Sequence, residues 1–441
     1  MKIRHLALAI ALILGAAEPA LAKDNWLGAW GFPPIPMPPG TAALMPVSAN
    51  PPLSPVTAAP SPDAPLLDNP ANVPVVLSPA SDPANVTVRQ LVRVSCAGKR
   101  IRLRFTNEDG SDAMVLGAVH VAIAGPDGRI VAGTDHVITF EGRPSVSIPA
   151  SAPLLSDPVD LPVTALQRLV VTSYVPSSVP RAISNVALPQ GGHAVYQYVA
   201  GVPGDYTSAA QLPSQSIMRL TSLVSQVEVD ADTATSVLVT LGDSITEGAQ
   251  STNNAFRGWP DRLAERLAAA KSKWSVVNAG IGGNRLLRYG TGPSALARMD
   301  RDVFGVPGVK AIILLEGIND IGRGFTTQVP QEPVTTEALI AADKQIIARA
   351  HAHGIKVIGA TLTPYQGAAY AAPAGEQVRT ALNHWIATSG AFDGVIDFAK
   401  ATADPTNPLA FRADFNLRDK LHPNDAGYQA MADAIDLNIF K

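Results

Sequence analysis

Five short apolar runs, separated by helical patterns, constrain the fold of this 441-residue chain more than any other feature of its sequence. The runs cover residues 235–241, 274–279, 311–315, 355–361 and 395–398. They are continuous rather than alternating, which is typical of strands that are buried on both faces of a sheet. Strands that alternate with helices form a parallel sheet covered on both sides. We therefore predict an α/β domain over residues 231–441, with a ligand site beyond the carboxyl ends of its strands.

The clearest of the intervening helical patterns covers residues 336–353. Leu339, Ala342, Ile346 and Ala350 fall on one stripe of this segment, and Gly354 is placed to end the helix.

A different pattern covers residues 86–230. Short runs rich in β-branched residues, at 88–94, 101–105, 115–123 and 169–174, are separated by turn sequences at 108–110 and 126–128. Such a series of short strands predicts an all-β sandwich, of the jelly-roll type.

The segment 23–85 differs from both domains. Trp26 and Trp30 lie in a short run that we interpret as a strand, and 16 prolines follow between Pro33 and Pro83. Because proline lacks a backbone donor, this part of the segment is predicted to be a long extended loop.

Residues 1–22 have the pattern of an export signal. Lys2 and Arg4 precede an apolar stretch over residues 6–17, and Ala20 and Ala22 form a small-residue cleavage site. The apolar stretch is shorter than the roughly 20 residues of a spanning helix, so we expect a secreted or periplasmic protein without stable membrane insertion.

Composition limits the partners that the chain can bind. Charged residues make up only 16% of the sequence and the formal net charge is −3, so nucleic acid is not an expected partner. Cys96 is the single cysteine, which excludes an internal disulfide, and its apolar surroundings predict a buried structural role.

Ser244 follows the first of the buried runs, within Gly-Asp-Ser at 242–244. A serine between a buried strand and a turn can present its hydroxyl at the edge of the sheet with its backbone N–H exposed. An equally simple interpretation is that Ser244 only caps a helix.

His422 lies near the C-terminus, three residues after Asp419. An acid at this spacing can accept the Nδ1 proton of the imidazole and leave Nε2 free to act as a base. Alternatively, His422 is a loop residue, Asp419 is a surface charge, and Asn424 caps the last helix.

Two further segments follow buried runs. Residues 278–284 contain three glycines, of which Gly283 precedes Asn284, and residues 316–320 contain Asn319. Backbone N–H groups and a side-chain amide at these positions could stabilise an oxyanion, although either segment could be simple turn chemistry. Four strand-end motifs with complementary chemistry in one domain favour the functional interpretation.

Together these motifs resemble the SGNH, or GDSL-type, family of serine hydrolases. Its four blocks occur in the family's order, at 242–244, 278–284, 317–320 and 419–423, and the resemblance covers roughly residues 236–441. It implies a three-layer SGNH-hydrolase domain with a central parallel sheet. Segments 26–31 and 89–107 also resemble the β-sandwich region that precedes the hydrolase in some secreted bacterial members.

By position, the resemblance implies that Ser244 is the nucleophile, His422 the general base and acid, and Asp419 the residue that orients the imidazole. The oxyanion hole would combine the Ser244 N–H, the Gly283 N–H and the Asn319 side chain, with Gly280 and Gly282 as alternatives in the glycine block. The other histidines lack the spacing of metal ligands, so no metal or cofactor is expected.

These implications predict a secreted serine esterase that hydrolyses carboxylic esters through an acyl-enzyme, with O-acetyl groups on a polysaccharide as one candidate substrate. The partner is then a small-molecule or polysaccharide ester. Two alternatives stay open: a lipase or lysophospholipase-type acyl hydrolase, and a glycan-binding protein with an inactive hydrolase domain. The sequence leaves the oligomeric state undetermined.

Overall fold

The computed structural model describes most of the chain, with gaps. The described residues are 24–35, 75–76, 85–108, 110–125, 128–177, 197–199, 204–212, 216–218, 223–252, 255–326, 332–416 and 419–440. The predicted export signal and most of the proline-rich segment lie outside these residues. In the described part, no helix is both long enough and apolar enough to cross a membrane.

Thirteen described strands form the N-terminal β region. They are β1 (Trp26–Gly31), β2 (Val75–Val76), β3 (Val86–Arg93), β4 (Ile101–Asn107), β5 (Met114–Leu116), β6 (Ala118–Ile123), β7 (His136–Val137), β8 (Val146–Ile148), β9 (Ala152–Leu155), β10 (Arg168–Val175), β11 (Gln197–Val199), β12 (Ser216–Met218) and β13 (Val224–Asp230). One sheet has the order β1-β13-β4-β9, a second has the order β2-β12-β11-β3-β10-β6-β7, and β5 pairs with β8. All described pairs are antiparallel except β2 with β12.

The core of this region forms from alternating side chains. In β4, Ile101, Leu103 and Phe105 are fully buried, whereas Arg102 and Arg104 between them are partly exposed. Cys96 lies in the same core, as predicted, and burial raises the pKa of its thiol to about 11. The two-residue period identifies a sheet with one face toward the core.

One predicted strand is split in the structure. The run 115–123 contributes to both β5 and β6, which belong to different sheets. The break is at Gly117, whose N–H donates a 2.9 Å hydrogen bond to the carbonyl of Tyr174. A Cβ at Gly117 would press on the Tyr174 ring, so only glycine permits this close approach.

The C-terminal domain is built on a five-stranded sheet. Its strands are β14 (Ser236–Gly242), β15 (Trp274–Gly280), β16 (Val309–Leu315), β17 (Lys356–Ala360) and β18 (Gly394–Ile396), in the order β15-β14-β16-β17-β18. Every pair is parallel. All five predicted strands are therefore present, and the α/β prediction is confirmed.

Eight α-helices accompany this sheet in the described part of the chain. They are α1 (Ser244–Glu247), α2 (Trp259–Ala269), α3 (Ala295–Met299), α4 (Ile318–Gly324), α5 (Thr336–Ala352), α6 (Pro373–Thr388), α7 (Phe398–Thr402) and α8 (Asp425–Asp433). Helices α2, α7 and α8 pack together, as do α3, α4, α5 and α6, which gives the three-layer arrangement. Helix α5 occupies the segment predicted to be helical, and Gly354 follows it at φ +67°.

The strand order explains where the motifs meet. The chain moves from β14 outward to β15 and then returns to β16 on the other side of β14. Ligand sites in open parallel sheets form at such a reversal, beyond the carboxyl ends of the strands. The segments after β14, β15 and β16 contain Ser244, Gly283 and Asn319 respectively.

Strand β1 also joins the two regions. It pairs with β13 in the sandwich and packs on β15 of the α/β domain, where the N–H of Gly28 donates a 3.0 Å hydrogen bond to the carbonyl of Pro307. Close by, the hydroxyls of Ser95 and Ser275 lie 2.7 Å apart. The N-terminal strand thus belongs to the sandwich and contributes to its contact with the α/β domain.

Candidate active site

Ser244 lies at the first position of α1, directly beyond β14. The carboxylate of Asp243 caps this helix by accepting a 2.8 Å hydrogen bond from the N–H of Ile245. Gly242 precedes the turn, and a Cβ there would overlap Thr246 and the carbonyl of Leu315. Asp243 therefore caps the helix, which leaves the Ser244 hydroxyl available for another contact.

That contact is with His422. The Ser244 Oγ lies 2.8 Å from Nε2 of His422, although 178 residues separate the two along the chain. On the other side of the ring, Nδ1 of His422 lies 2.6 Å from Oδ2 of Asp419. The structure thus brings the three residues predicted from the sequence together as one hydrogen-bonded triad.

The segment around Asp419 holds the imidazole in place. Oδ1 of Asp419 accepts hydrogen bonds of 3.0 Å from the backbone N–H groups of Leu421 and His422. Lys420, between Asp419 and Leu421, adopts a left-handed conformation with φ +57°, which produces the tight turn. The alternative of a free surface charge at Asp419 does not agree with these contacts.

The charge of Asp419 is stabilised by these hydrogen bonds. Partial burial by itself raises the pKa of the carboxyl, but the bonds from His422 and from two backbone N–H groups outweigh it. The net result is a pKa below the usual value. Asp419 is therefore an anion at neutral pH and favours the Nδ1-protonated imidazole, whose Nε2 accepts a proton.

The other two predicted segments lie beside Ser244. The backbone of Gly283 is left-handed, with φ +74°, and the side-chain Nδ2 of Asn319 donates a 2.9 Å hydrogen bond to the carbonyl of Asn284. The second hydrogen of that amide remains for another acceptor. Among the described residues, no hydrogen bond occupies the N–H of either Ser244 or Gly283.

Asp320 connects the segment after β16 to the loop after β15. Its carboxylate accepts hydrogen bonds from the backbone N–H groups of Leu286, at 2.6 Å, and Leu287, at 3.1 Å. Because Asp320 is adjacent to Asn319, these bonds fix the amide of Asn319 relative to the glycine block.

The comparison with known families agrees with this geometry. The model of the GDSL-like lipase/acylhydrolase family matches residues 240–430, which include all four motifs. Residues 240–430 belong to the GDSL family. This GDSL domain makes the protein a carboxylic ester hydrolase, as the sequence predicted.

Solved structures of related proteins are similar at low identity. A GDSL-like lipase from Bacteroides thetaiotaomicron is 18% identical with a TM-score of 0.35, over 46% of this chain and 87% of that chain. A psychrotrophic esterase from Pseudoalteromonas is 19% identical with a TM-score of 0.34, over 45% and 93%. A catalytic mutant of an acetylxylan esterase from Geobacillus stearothermophilus is 21% identical with a TM-score of 0.34, over 45% and 91%. No curated protein matches the chain.

Three residues of the GDSL domain contact the predicted site residues or the motifs that contain them, but were not identified from the sequence. Gln250 donates a 2.6 Å hydrogen bond to Oδ2 of Asp419, and the hydroxyl of Tyr370 lies 3.4 Å from Oδ1 of Asn319. The third is Arg298. None of the three belongs to a sequence motif, so their contacts with the site can be identified only from the folded structure.

Arg298 is fully buried and holds the first two motifs together. Its guanidinium donates to the carbonyls of Gly242, at 3.0 Å, and Ala279, at 2.7 Å, and to Oδ1 of Asn284, at 3.0 Å. Asp302, 3.1 Å away, neutralises its charge. Since Gly242 and Asn284 are close to Ser244 and Gly283, Arg298 sets the separation of these two residues.

Two buried carboxyl groups lie behind the nucleophile of the GDSL domain. Burial, aided by the charge of Asp320, raises the pKa of Asp243 to about 6, although the hydrogen bond from Ile245 opposes this. Burial, followed by the charge of Asp243, raises the pKa of Glu316 well above its ordinary value. Burial therefore favours the neutral, protonated form of Glu316 more strongly than that of Asp243.

Proposed function

We propose that the protein is a secreted serine esterase that cleaves carboxylic esters through an acyl-enzyme on Ser244. The single observation that carries the proposal is the hydrogen-bonded triad of Ser244, His422 and Asp419. The Ser244 Oγ lies 2.8 Å from Nε2 of His422, and Nδ1 of His422 lies 2.6 Å from Oδ2 of Asp419. A serine hydroxyl is a weak nucleophile until a base removes its proton, and Nε2 of His422 is in range to do so.

In the proposed reaction, Oγ of Ser244 attacks the ester carbonyl carbon while its proton moves to Nε2 of His422. The tetrahedral oxyanion accepts hydrogen bonds from the N–H groups of Ser244 and Gly283 and from Nδ2 of Asn319. When the carbon–oxygen bond of the alcohol breaks, His422 donates the proton to the leaving alcohol. Water then attacks the acyl-enzyme with His422 again as the base, which releases the acid and restores Ser244.

The described surface supports a short acyl group rather than a long lipid chain. Large hydrophobic side chains that are at least 40% exposed are Val131, Val137, Leu155, Tyr289, Val395 and Leu409. They are spread over strands and loops of both regions, whereas a lipid substrate requires a contiguous apolar surface. We propose O-acetyl groups on a carbohydrate as the natural substrate.

Hydrolysis of p-nitrophenyl acetate by the purified protein tests the proposal. Ser244→Ala should reduce the release of p-nitrophenol to the background rate, and Ser111→Ala, on the exposed surface of the β region, should not change it. A fluorophosphonate should label the parent protein at Ser244 and leave Ser244→Ala unlabelled. Equal hydrolysis by the parent protein and Ser244→Ala would refute the assignment, and no hydrolysis by the parent would favour the glycan-binding alternative.

Export is a separate part of the proposal. It is supported by the basic start at Lys2 and Arg4, the apolar stretch over residues 6–17 and the small residues Ala20 and Ala22. Expression of the full chain in a bacterial host should yield a mature form that begins at Lys23, in the medium or the periplasm. A protein that retains Met1 in the cytoplasm would contradict export.

A further inference from the structure

Arg323, in the last turn of α4, lies beside Gly283 of the proposed oxyanion hole and has no hydrogen-bonding or ion-pair partner among the described residues. Its Nη2 atom lies 3.2 Å from the position that a Cβ on Gly283 would occupy. Among the described residues, no hydrogen bond or ion pair engages its guanidinium. The charged end of Arg323 therefore fills the space where a side chain on Gly283 would lie, next to a residue that we propose to contact the reacting carbonyl.

The environment of Arg323 has more guanidinium groups than carboxylates. Arg285 pairs with Glu332 at 3.0 Å and lies 3.7 Å from Asp320, and Arg288 shares the same Glu332 at 3.4 Å. Asp320 is further engaged by the N–H groups of two leucines. In the part of the chain that the structure describes, three guanidinium groups thus share two carboxylates, and Arg323 is the one that forms no ion pair.

Leaving this cation unpaired has an energetic cost. Arg323 is only partly exposed, and burial lowers the pKa of its guanidinium, as does the nearby charge of Arg285. Tyr370 and the carboxylate of Asp320 act in the opposite direction but do not outweigh these two effects. A partly desolvated guanidinium gains most from a planar anion that accepts two parallel hydrogen bonds. A carboxylate has this geometry.

We propose that Arg323 forms an anion subsite next to the oxyanion hole and selects esters that carry a carboxylate close to the ester group. This inference rests on the proposed esterase function and specifies its substrate class. The carboxylate can come from either side of the ester bond: from the acyl group, as in a half-ester of a dicarboxylic acid, or from the alcohol, as in an O-acetylated uronic acid.

The subsite is distinguished from esterase activity by a direct binding measurement. Titrations of the full chain with succinate and with glucuronate, followed by NMR, are compared with titrations with succinamide and glucose. We expect saturable binding of at least one anion, loss of that binding in Arg323→Gln, and partial retention in Arg323→Lys, which keeps the charge but not the planar fork. Arg143→Gln, on the exposed surface of the β region, is the matched control.

Hydrolysis then identifies the side of the ester bond. The kcat/KM values for p-nitrophenyl hemisuccinate and p-nitrophenyl acetate test the acyl side, and those for O-acetylated glucuronic acid and O-acetylated glucose test the alcohol side. In Arg323→Gln, the ratio of the charged to the neutral ester should fall about 10- to 100-fold for one pair, the range expected for a charged hydrogen bond. Added salt should reduce the same ratio in the parent protein.

The outcomes separate the two proposals. If neither anion binds, or if Arg323→Gln binds anions as the parent does while its circular dichroism is unchanged, the subsite does not exist, whether or not the protein is an esterase. If the anions bind through Arg323 and no ester is hydrolysed, the proposed function fails while the anion site itself is supported.

Discussion

The side-chain amide of Gln250 donates a 2.6 Å hydrogen bond to Oδ2 of Asp419, the oxygen that also lies 2.6 Å from Nδ1 of His422. Gln250 reaches this position because its backbone is left-handed, with φ +67°. The hydroxyl of Tyr428 holds the adjoining turn through a 2.6 Å hydrogen bond to the carbonyl of Ala249. The loop that follows the nucleophile thus also supports the acid that orients the base.

Gln250→Ala should lower kcat for p-nitrophenyl acetate about three- to tenfold. The change removes one hydrogen bond to a carboxylate, so Asp419 is held less firmly and the imidazole is oriented less well. Gln429→Ala, which removes an exposed amide from α8, is the control and should leave kcat unchanged. If both variants behave like the parent protein, Gln250 does not position Asp419.

Asn319→Ala should lower kcat on the order of 10²- to 10³-fold with little change in KM. The amide is proposed to bind the oxyanion, which exists only in the transition state and the intermediates next to it. Steady-state kinetics with p-nitrophenyl acetate measure both constants, with Asn407→Ala as a control for loss of an exposed amide. A raised KM at constant kcat would instead assign Asn319 to substrate binding.

Arg298→Met should destabilise the protein by about 3–5 kcal/mol, because it removes the buried donor of the Gly242 and Ala279 carbonyls and of Oδ1 of Asn284. It also leaves the carboxylate of Asp302 with Arg301 as its remaining partner. Urea unfolding measures the free energy. Lys273→Met, which removes an exposed ion pair to Asp232, should cost only about 0–1 kcal/mol.

The double variant Arg298→Met/Asp302→Leu separates charge from packing. Removal of both charges should recover only part of the lost free energy of unfolding, because Arg301, the second partner of Asp302, is partly exposed and can be hydrated. The catalytic constant kcat should stay low, because Gly242 and Asn284 lose their common donor. Full recovery of kcat in the double variant would show that Arg298 has no part in positioning the site.

Glu316→Gln should make the protein relatively more stable at alkaline pH. The pKa of Glu316 is raised in the folded state, so folding retains a proton that the unfolded chain releases above about pH 4.5, and stability falls as the pH rises through this window. The glutamine side chain can still accept the hydrogen bond from the N–H of Gly317, but it has no carboxyl group to gain or lose a proton. The difference in Tm between variant and parent should therefore be more favourable to the variant at pH 8 than at pH 4.5.

Glu337→Gln, at an exposed position in the first turn of α5, is the control for Glu316 and should give the same difference in Tm at both pH values. A pH-independent effect of Glu316→Gln would mean that the buried carboxyl does not take up a proton on folding.

The sequence predicted the parallel sheet, the long helix and the four motifs because each depends on a local pattern: a continuous apolar run, a 3.6-residue stripe or residues that follow a strand. It did not predict Gln250 or Arg298, because their partners lie far away in the chain or are backbone carbonyls, which have no side-chain signature. Gln250 and Asp419, for example, are 169 residues apart. The break at Gly117 was missed for a similar reason, since it results from the approach of Tyr174 on another strand.

Strand β1 precedes every other described strand, and its partners lie much further along the chain. Trp26 lies opposite Asp230, about 200 positions further on, and the contact of Gly28 with Pro307 requires still more chain. Contacts between residues so far apart in the chain form slowly. The backbone groups of β1 therefore stay unpaired until the later strands have been synthesised. Deletion of residues 1–35 would remove an edge strand of the sandwich and leave β13 with an unpaired, aggregation-prone edge.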